Sequence, residues 1–74
     1  MHKLPSITPQ KVIRILERKG FVVDRAKGSH RIYYHSKGGR RVVIPYHRKD
    51  LPKGTLMEIL KQASIDKEEL VKLL

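Results

Sequence analysis

The chain has 74 residues and a formal net charge of +10, from 17 Lys and Arg against 7 Asp and Glu, and it contains no cysteine. This length sets out one domain, residues 1–74, with a small core that buries only about 60–65% of the unfolded surface and gains from a binding partner. Without cysteine there are neither disulfides nor cysteine-held zinc, and the redox compartment stays open. The start Met-His-Lys-Leu-Pro has no apolar run of a signal peptide, and no stretch reaches the roughly 20 apolar residues of a membrane span. The expectation is a cytoplasmic protein with no membrane partner.

Thr8-Pro9 predicts the start of a helix, because Thr caps well and Pro suits the first helical position. Val12, Ile13 and Leu16 follow helical spacing, and Ile15 widens the apolar stripe. Gly20 is placed to end that helix. Phe21 to about Arg25 reads as a first strand, Ala26-Lys27-Gly28 as a turn, and Ser29 to His35 as a second strand. Ser36-Lys37-Gly38-Gly39 is a hairpin turn on its paired glycines. Arg40 to Ile44 is a third strand, and Pro45 stops it because proline donates nothing to a ladder.

Tyr46 to Gly54 reads as a polar loop. A helix starts between Pro52 and Thr55 and carries Leu56, Ile59, Leu60 and Ala63 at i, i+3, i+4, i+7. Ser64-Ile65 ends it. Asp66 caps a short last helix, with Glu69 three residues on as a capping box. The order is α-β-β-β-α plus a short C-terminal helix. The fold class is α+β, with a three-stranded antiparallel sheet, helices on one face and the other face open. Phe21, Val23, Val42 and Ile44 are assigned to the core, with whichever of Tyr33 and Tyr34 faces the helices.

Charge is uneven along this frame. Lys and Arg crowd the stretch from Arg25 to Lys53, where Asp50 is the one acid, while Asp66 to Leu74 holds three acids and two lysines. A basic middle in a globular chain points to a polyanionic partner. The cations cluster on strands and turns, not along an amphipathic helix, which disfavours a membrane surface.

Two stretches carry candidate chemistry. In Lys27-Gly28-Ser29-His30, glycine lets backbone approach a ligand closely, and Ser29 offers a hydroxyl and an N–H. Histidine both takes and gives a proton near neutrality. His30 fits a general base on a ribose 2′-OH, a role worth typically about 10²–10⁴-fold. On the tripeptide alone, an ordinary turn beside a strand-edge histidine is clearly the better reading, because short motifs match by chance. The second stretch is Pro45-Tyr46-His47-Arg48-Lys49, where a rigid proline aims a histidine and two cations. If the third strand returns beside the second, His47 lies near the strand-two turn as a second proton-transfer group. A solvated basic loop is the alternative.

Strand parity bears on His30. His30, Ile32 and Tyr34 point one way, and Arg31, Tyr33 and His35 the other. If Tyr33 faces the core, His30 projects from the open sheet. If Ile32 and Tyr34 do, it lies at the core's edge. Arg25, Lys27, Arg31, Arg40, Arg41 and Arg48 are candidate RNA contacts, with Tyr33, Tyr34 and Tyr46 as stacking rings worth about 1–3 kcal/mol per base. The four histidines have irregular spacing and no acidic cluster beside them, so neither a metal site nor any cofactor is expected.

Along nearly its whole length the chain resembles the HicA toxin family. The matching features are Gly20-Phe21, Arg25, Lys27-Gly28-Ser29-His30, Val42 to Pro45, Pro45-x-His47, and Gly54-Thr55-Leu56 leading into Ile59-Leu60-Lys61-Gln62-Ala63. The resemblance implies a fold like a double-stranded-RNA-binding domain. It implies an mRNA interferase, mRNA as substrate and a HicB-like antitoxin as partner. It implies that His30 is catalytic. The role of His47, and of Gly28 and Ser29 in supporting the turn, is inferred from the residues alone. A non-catalytic RNA-binding module of the same fold is the rival reading, in which His30 merely contacts sugar or phosphate.

Overall fold

A computed structural model describes residues 4–47 and 49–74. The first helix, α1 (Pro9–Arg18), starts as its sequence predicts. The Thr8 hydroxyl accepts the Lys11 N–H at 3.4 Å and Pro9 takes the first helical position. Val12, Ile13, Ile15 and Leu16 are buried. The helix ends in a Schellman motif. The Phe21 N–H reaches the Leu16 carbonyl at 2.9 Å and the Gly20 N–H reaches that of Glu17 at 3.1 Å. Gly20 holds φ +99°, and a Cβ there would lie 2.9 Å from His35 Nε2, so a side chain is excluded twice over.

Three antiparallel strands follow in the order β1 (Val22–Lys27), β2 (His30–His35), β3 (Arg40–Pro45). β2 lies in the middle and pairs with β3 from His30↔Pro45 to His35↔Arg40. The β2–β3 turn is Ser36 to Gly39, as its glycines predict. The first hairpin differs from expectation. β1 starts one residue later and runs on through Ala26 and Lys27, because these pair with Arg31 and His30. The connection is then only Gly28-Ser29, with Gly28 at φ +57°. A positive φ in a two-residue link gives the turn a twist that matches the strands.

Tyr33 is 6% exposed and Val42 and Ile44 are fully buried, so this row faces the helices. His30, Ile32 and Tyr34 therefore share the open face with Val43, Arg41 and Pro45 opposite them. The parity left open by sequence is thereby decided. Val23 does not join the core and is 57% exposed. It precedes a bulge between Val23 and Arg25 on an edge strand, where an extra residue bends the ladder.

The second helix, α2 (Lys53–Ala63), buries Leu56, Ile59, Leu60 and Ala63. Its Gln62 side-chain oxygen accepts the Val43 N–H at 3.1 Å, which covers the β3 edge. Ser64 caps it in the left-handed conformation, φ 57° and ψ 41°. A short α3 (Lys67–Leu73) follows, capped by Asp66, whose carboxylate accepts the Glu69 N–H at 2.7 Å. The Glu69 carboxylate pairs with Lys19, so α3 is tied to the end of α1. Leu70 is fully buried in the shared core.

Candidate active site and nucleic-acid surface

β1 and β3 both flank β2, so the open face at one end of the sheet reads Lys27, His30, Pro45 across the strands. Lys27 and His30 are directly opposite, with Cβ atoms about 5 Å apart in such a pair. Arg25 lies at the next pair on the same face, opposite Ile32. His30 is exposed, and among the described residues no side chain hydrogen-bonds its imidazole. Among the described residues, nothing competes with a ligand for either ring nitrogen. Tight two-residue linkage is what brings Lys27 to His30. The Gly28-Ser29 turn leaves no room for a longer, mobile connection.

The segment after β3 is held against this turn. The Tyr46 N–H donates to the Ser29 carbonyl at 2.5 Å. The Gln10 side-chain amide donates to the His47 carbonyl at 3.3 Å, so the N-terminus of α1 steadies the same loop. β3 thus returns beside β2, and His47 follows within two residues of Pro45, the pairing partner of His30. Gly28, Ser29, His30 and His47 come together at one end of the sheet. Arg48 lies outside the described residues.

The remaining cations divide. Arg31 faces the helix side, with its guanidinium carbon 4.1 Å from the Tyr46 ring centroid. Arg41 is on the open face but far along it, opposite Tyr34, four residues from His30 or about 14 Å at strand rise. It pairs with Asp24 at 2.5 Å and stacks over the Tyr34 ring at 4.8 Å. Arg40 is opposite His35, about 17 Å along. The hairpin arginines and His30 therefore mark two ends of one sheet.

His35 has a different task from His30. Its Nε2 is 3.0 Å from the Lys19 carbonyl, its Nδ1 accepts the Lys37 N–H at 3.2 Å, and its ring meets Phe21 edge-on at 5.0 Å. Only a donating Nε2 satisfies both bonds, so the ring joins the β2–β3 turn to the end of α1.

Sequence reading missed Gln10, Arg14 and Glu17, which line a cleft between α1 and the sheet with Arg31, Tyr33 and Tyr46. Their spacing of four and three residues is a polar helix stripe, and that was the available signal. The Tyr33 hydroxyl holds its proton to higher pH than usual. Burial is the main cause and the nearby Glu17 carboxylate adds to it.

Among the described residues no three His, Asp or Glu side chains gather as metal ligands, and no helix is long and apolar enough to cross a membrane. No curated protein matches the chain significantly. A family model described as the HicA toxin of bacterial toxin–antitoxin systems matches residues 9–65. That span runs from the first residue of α1 past the cap of α2 and contains every element of the His30 site, so the chain belongs to the HicA toxin family.

Proposed function

We propose that this toxin is a metal-independent RNA endonuclease, an mRNA interferase of the cytoplasm, and that a HicB-like antitoxin neutralises it. The observation that carries this reading is the row Lys27, His30, Pro45 on the open sheet face, which sets an exposed imidazole beside a cation. His30 takes the proton from a ribose 2′-OH. The 2′-oxygen attacks the adjacent phosphorus, and the P–O5′ bond breaks. The leaving 5′-oxygen takes a proton, from the His47 imidazolium or from water. The products are a 2′,3′-cyclic phosphate and a free 5′-OH. Lys27 and Arg25 stabilise the charge that builds on the phosphoryl oxygens, an effect strongest where water is displaced.

The rival, a binding module without catalysis, draws on one feature. No acid orients His30 among the described residues. The test is purified chain with RNA in EDTA, wild type beside His30→Ala. Cleavage by wild type alone, with a cyclic phosphate at the product end, supports the endonuclease. Binding by both without cleavage supports the rival. Restoration of activity only on adding Mg²⁺ overturns the proposed mechanism.

A further inference from the structure

The cleft between α1 and β1–β2 has a volume of about 450 Å³, and Ile13 and Val23 are the apolar part of its lining. The rest of the lining is Gln10, Arg14, Glu17, Arg31, Tyr33 and Tyr46. Two of its lining residues connect it to the His30 site. Arg31 is the next residue along β2, and Tyr46 is bonded to Ser29. The two sites are on opposite faces of the sheet at the same end, so a single strand passing around the Gly28-Ser29 turn meets both.

We propose that this cleft receives one nucleobase of the bound RNA strand, with preference for guanine. This rests on the reading of the chain as an RNA-cleaving toxin. The chemistry is complementary at each edge. Guanine offers two donors, N1–H and the N2 amine, to a carboxylate, and two acceptors, O6 and N7, to a guanidinium. Glu17 supplies the carboxylate, and Arg14 and Arg31 supply the guanidiniums. Adenine turns an acceptor, N1, toward the same carboxylate. Cytosine and uracil each offer only one kind of donor there. Tyr46, 37% exposed, presents a ring for the base to stack on, with Arg31 already placed over that ring at 4.1 Å. The Tyr33 phenol is protonated at neutral pH like any tyrosine, and burial and the Glu17 charge raise its pKa further. It is therefore a constant donor in the wall. Six polar or aromatic residues beside only two apolar ones suit a base better than an apolar protein segment.

The test uses the His30→Ala chain and the four nucleoside 3′-monophosphates, with binding followed by NMR at the Ile13 and Val23 methyls. Guanosine 3′-monophosphate is expected to bind about fivefold tighter than the other three, the low end of what a matched bidentate pair discriminates. Glu17→Gln is expected to remove that advantage while leaving the spectrum of the folded chain in place. Equal affinities for all four overturn the proposal, as does a guanine preference that survives Glu17→Gln. So does a cleft whose methyls move only on adding the antitoxin protein, which makes it a protein-docking groove. Wild-type RNA cleavage is measured in parallel. Guanine preference without cleavage leaves the cleft standing and the endonuclease reading failed, and cleavage without preference does the reverse.

Discussion

The backbone N–H of Tyr46 donates to the carbonyl of Ser29 across 2.5 Å. It is the first bond beyond the β2–β3 ladder, and it is possible because Pro45 ends that ladder opposite His30. One turn, Gly28-Ser29, is thereby fixed from two sides: by β1 through Lys27 and by the post-β3 loop through Tyr46.

Gly28→Ala is expected to destabilise the chain by about 1 kcal/mol, since the φ of +57° is a left-handed conformation that a Cβ disfavours. No atom lies within 4 Å of a Cβ built there, so the cost is backbone strain and not a clash. Gly28→Asn should lose less, because Asn tolerates that region. Urea denaturation reads the stability, and single-turnover RNA cleavage reads the site. Identical stability of all three chains would show that the turn is held in some other conformation in solution.

RNA affinity should depend on salt mainly through the His30 end of the open face. Replacing Arg25 and Lys27 together with Ala is expected to flatten log K against log[salt] by about 1.4, at ~0.7 per phosphate contact on single strands. Replacing Arg40 and Arg41 should flatten it by less than half of that, because Asp24 already neutralises Arg41 and both lie far from His30. A larger effect from the hairpin pair would move the RNA path to the other end of the sheet.

Ser64→Gly should stabilise the chain by about 0.5–1 kcal/mol. A non-glycine residue in the left-handed region costs about 1–2 kcal/mol, and glycine's greater freedom in the unfolded chain returns part of that gain. Ser64 is the one non-glycine residue with positive φ among those described. Thermal unfolding of the variant should shift upward. A downward shift would mean that the Ser64 side chain contributes more to the helix end than its backbone strain removes.

Alkaline pH should weaken the fold through Tyr33. Its pKa is raised in the folded state, chiefly by burial, above the ordinary value of 10.0. The folded chain thus holds this proton more tightly than the unfolded one. Its contribution is fully present below about pH 10 and is lost as pH rises through the folded-state pKa. Tyr33→Phe should remove that part of the alkaline decline. Denaturant midpoints at a series of pH values compare the two chains, and parallel curves would place the alkaline loss on other groups.

Local chemistry makes much of this protein legible from its residues alone. Thr8-Pro9, Gly20, the paired glycines at 38 and 39 and the Leu56-Ile59-Leu60-Ala63 stripe each act within a few residues, so spacing by itself locates both long helices and the second hairpin. His30 is likewise marked by its glycine turn and basic surroundings. Its face is not, because Ile32-Tyr33-Tyr34 has apolar side chains on both sides of the strand, and only packing of Tyr33 between Val42 and the helices decides which side is inside. Tertiary structure also excludes Val23 from the core, since a one-residue bulge and an edge position have no signature in an otherwise apolar run. It separates Arg31 from Lys27 by a face and Arg40 and Arg41 from His30 by the length of a strand, although all are near in sequence. The cleft of Arg14, Glu17, Arg31 and Tyr46 joins residues up to 32 positions apart, from one helix, one strand and one loop. A sequence pattern reports periodicity within an element, whereas a surface assembled from three elements exists only once they are packed.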